Sequence, residues 1–219
     1  MGQVVVITPE QKLLLDEFGA DSYIKDNFYF TGGTALAFYY LKHRISVDLD
    51  FFSEKEFNTR TIFDKITALG KKYHYTIDLT PIENTQTFNL IFPNMQSVKV
   101  DFAHYPYKRL AKGMQQDGIT IDSLLDIAAN KLLVIQQRNQ VKDFVDLYFL
   151  LKQFTVWDLM EGVKQKFGVR IDPLLVASDF LKVERFEFLP QMIVPLGLDD
   201  LKEYYIKRAQ DMGLKETSK

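Results

Sequence analysis

The sequence predicts an α+β protein in which a mixed sheet with flanking helices is followed by a C-terminal bundle of helices. Three observations predict it. Up to about residue 104, short runs rich in Val, Ile, Phe and Thr with period-two alternation are interleaved with apolar residues at helical spacing. A Gly32-Gly33 pair joins the first such run directly to a helix. From Ile121 onward the pattern is continuously helical, so the chain divides into an α/β part, residues 1–120, and a helical part, residues 121–219, packed against it.

Thr8-Pro9-Glu10-Gln11 starts the first helix, with Thr8 as cap, Pro9 at the first helical position and Gln11 at the reciprocal capping position. Leu14, Leu15 and Phe18 give its apolar stripe, and Gly19 is expected to end it. Phe28 to Thr31 are aromatic and β-branched and favour a strand, which Gly32-Gly33 stops. Thr34 is expected to cap the helix that follows, on which Leu36, Ala37, Tyr40 and Leu41 stand three and four residues apart. Unpaired amides and the positive end of the dipole at such a helix start suit an anion.

Ser46 to Phe52 alternates with period two, so Val47, Leu49 and Phe51 face one way and Ser46, Asp48 and Asp50 the other. Carboxylates at i and i+2 of a strand sit ~6 to 7 Å apart, a spacing that repels without a cation and suits a hard divalent one. Asn58 caps a helix carrying Ile62, Phe63, Ile66 and Leu69 up to Gly70. Strands are expected at 75–79, 88–92 and 97–103, the last two as a hairpin around residues 93–96. In the last of them Lys99 and Asp101 share the polar face, and Asp101 is the candidate third carboxylate.

Residues 105–112, YPYKRLAK, interleave aromatic and basic residues as a nucleotide or RNA contact would, but three charges are a weak electrostatic footprint and favour a solvated loop. Asp122 is expected to cap a helix running to about Arg138, with Lys131 and Arg138 on one stripe. Asp143 is expected to cap the next, with Asp146 on the same face. Three further helices are expected at 155–167, 172–182 and 198–212, their charged residues forming solvated faces.

Composition bounds the chemistry. With 219 residues, 47% hydrophobic and 26% charged, the chain is an ordinary globular protein of one large domain or two modest ones. No cysteine is present, which excludes disulfides, iron–sulfur clusters, thiolate zinc and a cysteine nucleophile, and three scattered histidines do not make a zinc site. The start, MGQVVVITPEQ, lacks the basic and long apolar segments of a signal peptide, Val6 stands where myristoylation needs Ser or Thr, and no apolar run approaches the ~18 residues of a membrane span. A cytoplasmic protein with no membrane contact is expected. A net charge of −2 gives no global basic field, so RNA would have to meet a local patch.

The stretch GGTALAFYYLKHRISVDLDFF, residues 32–52, resembles the nucleotidyltransferase superfamily of DNA polymerase beta-like fold, and specifically the AbiEii/AbiGii-type toxin family. KLLVIQQR and VKDFVDLYFLL are similar to that family's C-terminal signature, and the resemblance covers roughly residues 25 to 205. One departure is that Gly32-Gly33-Thr34 stands where the superfamily pattern has Gly-Ser, leaving Thr34 or the backbone to do the serine's work.

The resemblance implies a nucleotide site of Gly32, Gly33, Thr34, Arg44, Ser46, Lys131 and Arg138, and a Mg²⁺ or Mn²⁺ site of Asp48, Asp50 and Asp101. It implies catalytic roles for Asp48, Asp50, Lys131, which neutralises the triphosphate, and Asp143, which accepts a proton or orients the acceptor, with Asp146 behind them. The activity implied is metal-dependent transfer from an NTP to a hydroxyl of RNA such as a tRNA 3′ end, in a toxin–antitoxin or abortive-infection system with an antitoxin partner. The alternatives are a protein acceptor and a non-catalytic nucleotide-binding module.

Overall fold

Thr8 caps α1 (Pro9–Ala20) reciprocally, its hydroxyl accepting from the Gln11 amide while the Gln11 side chain accepts from the Thr8 amide. The computed structural model describes residues 6–82 and 85–217, with the backbone alone at 81, 82 and 214–217; residues 1–5, on which the reading of the N-terminus partly rests, lie outside them. Gly19 does not end α1. It serves a close approach instead, since a Cβ there would stand 2.0 Å from the Asp117 carbonyl oxygen.

After α2 (Ser22–Asn27) come β1 (Tyr29–Thr31), α3 (Gly32–Ala35), continued by one π-helical stretch at Leu36–Leu41, and β2 (Asp48–Ser53). Then follow α4 (Thr59–Tyr73), β3 (Thr76–Ile82), β4 (Thr85–Ile91) and β5 (Ser97–His104). A short hairpin, β6 (Met114–Gln116) and β7 (Ile119–Ile121), turns on Asp117-Gly118, both at positive φ, the geometry that Asp-Gly favours. The order β3-β4-β5-β2-β1-β7-β6 makes one mixed sheet, with β2–β5 and β1–β7 parallel and the other pairs antiparallel.

Alternation in β2 buries Leu49 and Phe51 and leaves Asp48 and Asp50 on the opposite face. Beneath the sheet Phe18, Phe28, Phe30, Phe51, Phe88 and Phe102 form one cluster, with Phe51 and Phe102 stacked at 5.4 Å. Burying each such ring is worth roughly 1.5 to 3 kcal/mol, so the apolar face fixes which way the acids point. Val47 does not join that face. It is 57% exposed because the strand begins at Asp48, while Ser46, expected on the polar side, is buried against Thr34.

The helical part contains α5 (Leu124–Gln137), α6 (Val141–Leu150), α7 (Val156–Phe167), α8 (Pro173–Phe180) with a following 3₁₀ turn, and α9 (Leu198–Thr217). α5 packs on α6 and α7, and α8 on α9. Two expected caps are replaced. Ser123, not Asp122, caps α5, and Asp122 is buried, accepting from the Thr31 hydroxyl. Gln140, not Asp143, stands at the start of α6.

One expected solvated face is also corrected. The Lys166 ammonium is fully buried against Asp126 at 2.7 Å, and Asp126 in turn accepts from the Leu110 and Ala111 amides, anchoring the loop after β5. The irregular segment before α9 clamps the start of β2: Ile193 and Val194 donate to the His43 carbonyl, and Ile45 donates to that of Gln191. Among the described residues no helix is long and apolar enough to cross a membrane.

Candidate active site

β1 delivers the chain to Gly32 at φ +75°, and a Cβ on this residue would lie 2.1 Å from Asp50 Oδ2, so the turn needs glycine for both conformation and space. Thr34 lies inside α3 rather than capping it. Its hydroxyl donates to the Asp48 carbonyl and shares a 2.8 Å bond with the Ser46 hydroxyl, tying the turn to the start of β2. Gly32→Ala is therefore expected to cost on the order of 1 to 3 kcal/mol and to lower the melting temperature by several degrees. A melt indistinguishable from wild type would show that the turn tolerates a side chain.

The parallel register of β2 and β5 sets Asp50 beside Asp101 and Asp48 beside Lys99. All four project from the face opposite the phenylalanine cluster. Above them opens a cavity of about 390 Å³ lined by Gly32, Gly33, Arg44, Ser46, Asp48, Asp50, Asp101, Lys131 and Arg138 among the expected residues. Thr34, Asp143 and Asp146 lie behind its wall. Lys99 and Lys142, which also line the cavity, were not nominated from sequence. Their signals were present: Lys99 shares the polar face of Asp101, and Lys142 directly precedes Asp143.

The acids carry unbalanced charge. Burial, followed by the neighbouring Asp101 and Asp48, pushes the Asp50 carboxyl up to about 6, against the opposing pull of Lys99 and Lys131. Asp101 Oδ2 accepts from Lys99 at 2.5 Å, while its Oδ1 is buried without a hydrogen-bond partner among the described residues. Lys142 reaches Asp48 Oδ2 at 3.2 Å.

Among the described residues no three acidic, histidine or cysteine side chains stand together as a ready-made metal cage. The donor set nevertheless fits a hard divalent cation. It consists of carboxylate oxygens alone, with one buried and unpartnered, on neighbouring strands.

Behind the cavity lies a buried ionic network. Asp146 accepts two bonds from Arg44, at 2.6 and 2.8 Å, one from His43 at 2.8 Å, and pairs with Lys131 at 2.7 Å. Burial opposes ionisation of Asp146, but Lys131 and Arg44 overcome it and hold the carboxyl well below its usual value. Asp143 is likewise fully buried, bonded to Lys131 at 2.7 Å and to Arg138 at 2.7 and 3.1 Å. Both its oxygens accept from these cations, and Asp143 is not among the residues that line the cavity.

A family model described as "Nucleotidyl transferase AbiEii toxin, Type IV TA system" matches residues 13–214. An uncharacterized protein of Aquifex aeolicus is 35% identical over 143 residues, which is 63% of this chain and 64%, just under two thirds, of the length of that curated relative. Among solved structures the chain is similar to a candidate nucleotidyltransferase from H. pylori, at 20% identity and a TM-score of 0.59 over 96% of each chain. It is also similar to JHP933 from Helicobacter pylori, at 21% identity and a TM-score of 0.58 over 95% of this chain and 93% of the other. At such identities the likeness is one of fold, and it agrees with the fold expected from the sequence.

Proposed function

We propose, from the premise that the chain belongs to the nucleotidyl transferase AbiEii toxin family, that it moves a nucleotide from an NTP to a hydroxyl of RNA, such as a tRNA 3′ end. The observation that carries this reading is one cavity lined at once by the glycine turn, by Asp48, Asp50 and Asp101, and by Arg44, Lys99, Lys131, Arg138 and Lys142. In the reaction the acceptor oxygen bonds to the α-phosphorus, pyrophosphate leaves and the hydroxyl proton is released. Such transfer is governed by positioning and by neutralising phosphate charge.

In this reading the amides of Gly32 and Gly33, two residues that line the cavity, bind phosphate oxygens. Lys131 and Arg138, held by Asp143, present positive charge to the triphosphate. A divalent cation, Mg²⁺ or Mn²⁺, bound by Asp48, Asp50 and Asp101 would supply charge neutralisation and lower the pKa of the acceptor hydroxyl.

In this reading residues 1–120 hold the acids and residues 121–219 bring Lys131, Arg138 and Lys142, so the nucleotide is clasped between the two parts. A cytoplasmic location and a neutralising antitoxin belong to the same proposal. Incubation with each labelled NTP, Mg²⁺ and total RNA or protein tests it: label is expected on RNA. Label on protein alone would replace the acceptor. Nucleotide binding without Mg²⁺ and without transfer to either would make the chain a binding module.

A further inference from the structure

We infer that Lys99 and Lys142 are stand-in cations, which hold the cavity's carboxylates until a divalent cation takes their place and then turn to the phosphates of the nucleotide. The inference rests on the nucleotidyl-transfer reading above.

The cavity's five basic side chains fall into two kinds. Arg44, Lys131 and Arg138 are paired with Asp143 and Asp146, which lie behind the wall and keep their partners whatever enters the cavity. Lys99 and Lys142 are paired with Asp101 and Asp48, the acids that a metal would claim. Binding of a cation there therefore frees these two ammonium groups and leaves the other three held.

Exposure points the same way. The Lys99 and Lys142 side chains are 41% and 38% exposed, whereas Asp101 and Asp48 are 14% and 27% exposed. The acids are seated on strands in the sheet, while the lysines reach them from the open side on flexible four-carbon stems. Lys131, by contrast, is 9% exposed and bonded to two buried acids at 2.7 Å. Part-exposed pairs of the first sort are weak, so a dication displaces them readily. Once displaced, each ammonium is repelled by the cation and stands in a cavity that the triphosphate is about to fill.

Lys99→Met and Lys142→Met test the idea through two readouts of opposite sign. Mn²⁺ titration of the nucleotide-free protein, followed by the paramagnetic resonance of free Mn²⁺, should show tighter binding by about two- to fivefold for each variant, since a competing cation is gone. The KM for nucleotide should rise about tenfold or more, since a charged partner of the phosphates is gone. Lys99→Arg and Lys142→Arg should recover most of that KM. Mn²⁺ affinity unchanged or weakened in both Met variants would overturn the inference. Absence of Mn²⁺ binding to the wild type, or its persistence in Asp50→Asn, would instead overturn the metal-dependent reading on which the inference rests.

Discussion

Asp50→Asn is expected to abolish nucleotidyl transfer, lowering the rate by about a thousandfold or more, which corresponds to a loss of roughly 4 kcal/mol of transition-state stabilisation. Asp50 sits between Asp48 along its own strand and Asp101 across the sheet, so losing its charge removes the centre of the donor set. The fold should survive, because asparagine fills the same space over Gly32. In the metal-free protein the variant should even melt higher at neutral pH, through relief of carboxylate repulsion.

The pH dependence has a definite sign. The Asp50 carboxyl rises from a usual 3.8 to about 6 on folding, so between those values the folded chain holds a proton that the unfolded chain releases. Its contribution to stability therefore falls as pH rises through that window. Burial raises Asp122 into the same range, so the slope of the wild type has two contributors and the difference between wild type and Asp50→Asn isolates one. Transfer near the wild-type rate at saturating Mg²⁺ would remove Asp50 from the site. Asp48→Asn should behave alike in transfer.

The second large effect is on stability. Asp146→Ala should cost about 3 to 5 kcal/mol, because it strips Arg44, His43 and Lys131 of a shared buried partner. Against a usual total of about 5 to 15 kcal/mol this is a large fraction, equivalent to a drop in melting temperature on the order of 10 °C. The carboxyl is depressed in the folded state, so its stabilisation is present above the usual 3.8 and is lost as pH falls below that value. A loss under 1 kcal/mol in denaturant titration at neutral pH would show the network to be dispensable. Lys131→Ala leaves both Asp143 and Asp146 short of a cation, so stability must be measured beside kinetics before any change in KM is assigned to the triphosphate.

Local signals were legible in the sequence and long-range pairings were not. The alternation of β2 shows Asp48 and Asp50 on one face because a strand repeats every two residues, and the caps Thr8 and Asn58 act on amides within the next turn. Whether Asp101 stands beside Asp50 depends on β5 joining the sheet parallel to β2, across about fifty residues of intervening chain, and no local pattern encodes that register. The same limit misplaced Asp143. At the start of a helix an aspartate reads as a cap, and only the arrival of Lys131 and Arg138 from α5 and its end turns it inward. The β6–β7 hairpin was missed although Asp117-Gly118 marks its turn, because its strands are only three residues long.

The clamp on His43 and Ile45 ties the cavity to the order in which the chain is made. Arg44 lies between those residues and forms a bridge with Met192, so the backbone that carries it is pinned by residues 191–194. The glycine turn and all three acids leave the ribosome first, and every one of them precedes this pin by about ninety residues or more. A nascent chain therefore holds the acids before it holds Arg44 in place. The Arg44 side chain gains its partner once Asp146 has been made, whereas the backbone on either side of it is pinned only after translation has passed Val194.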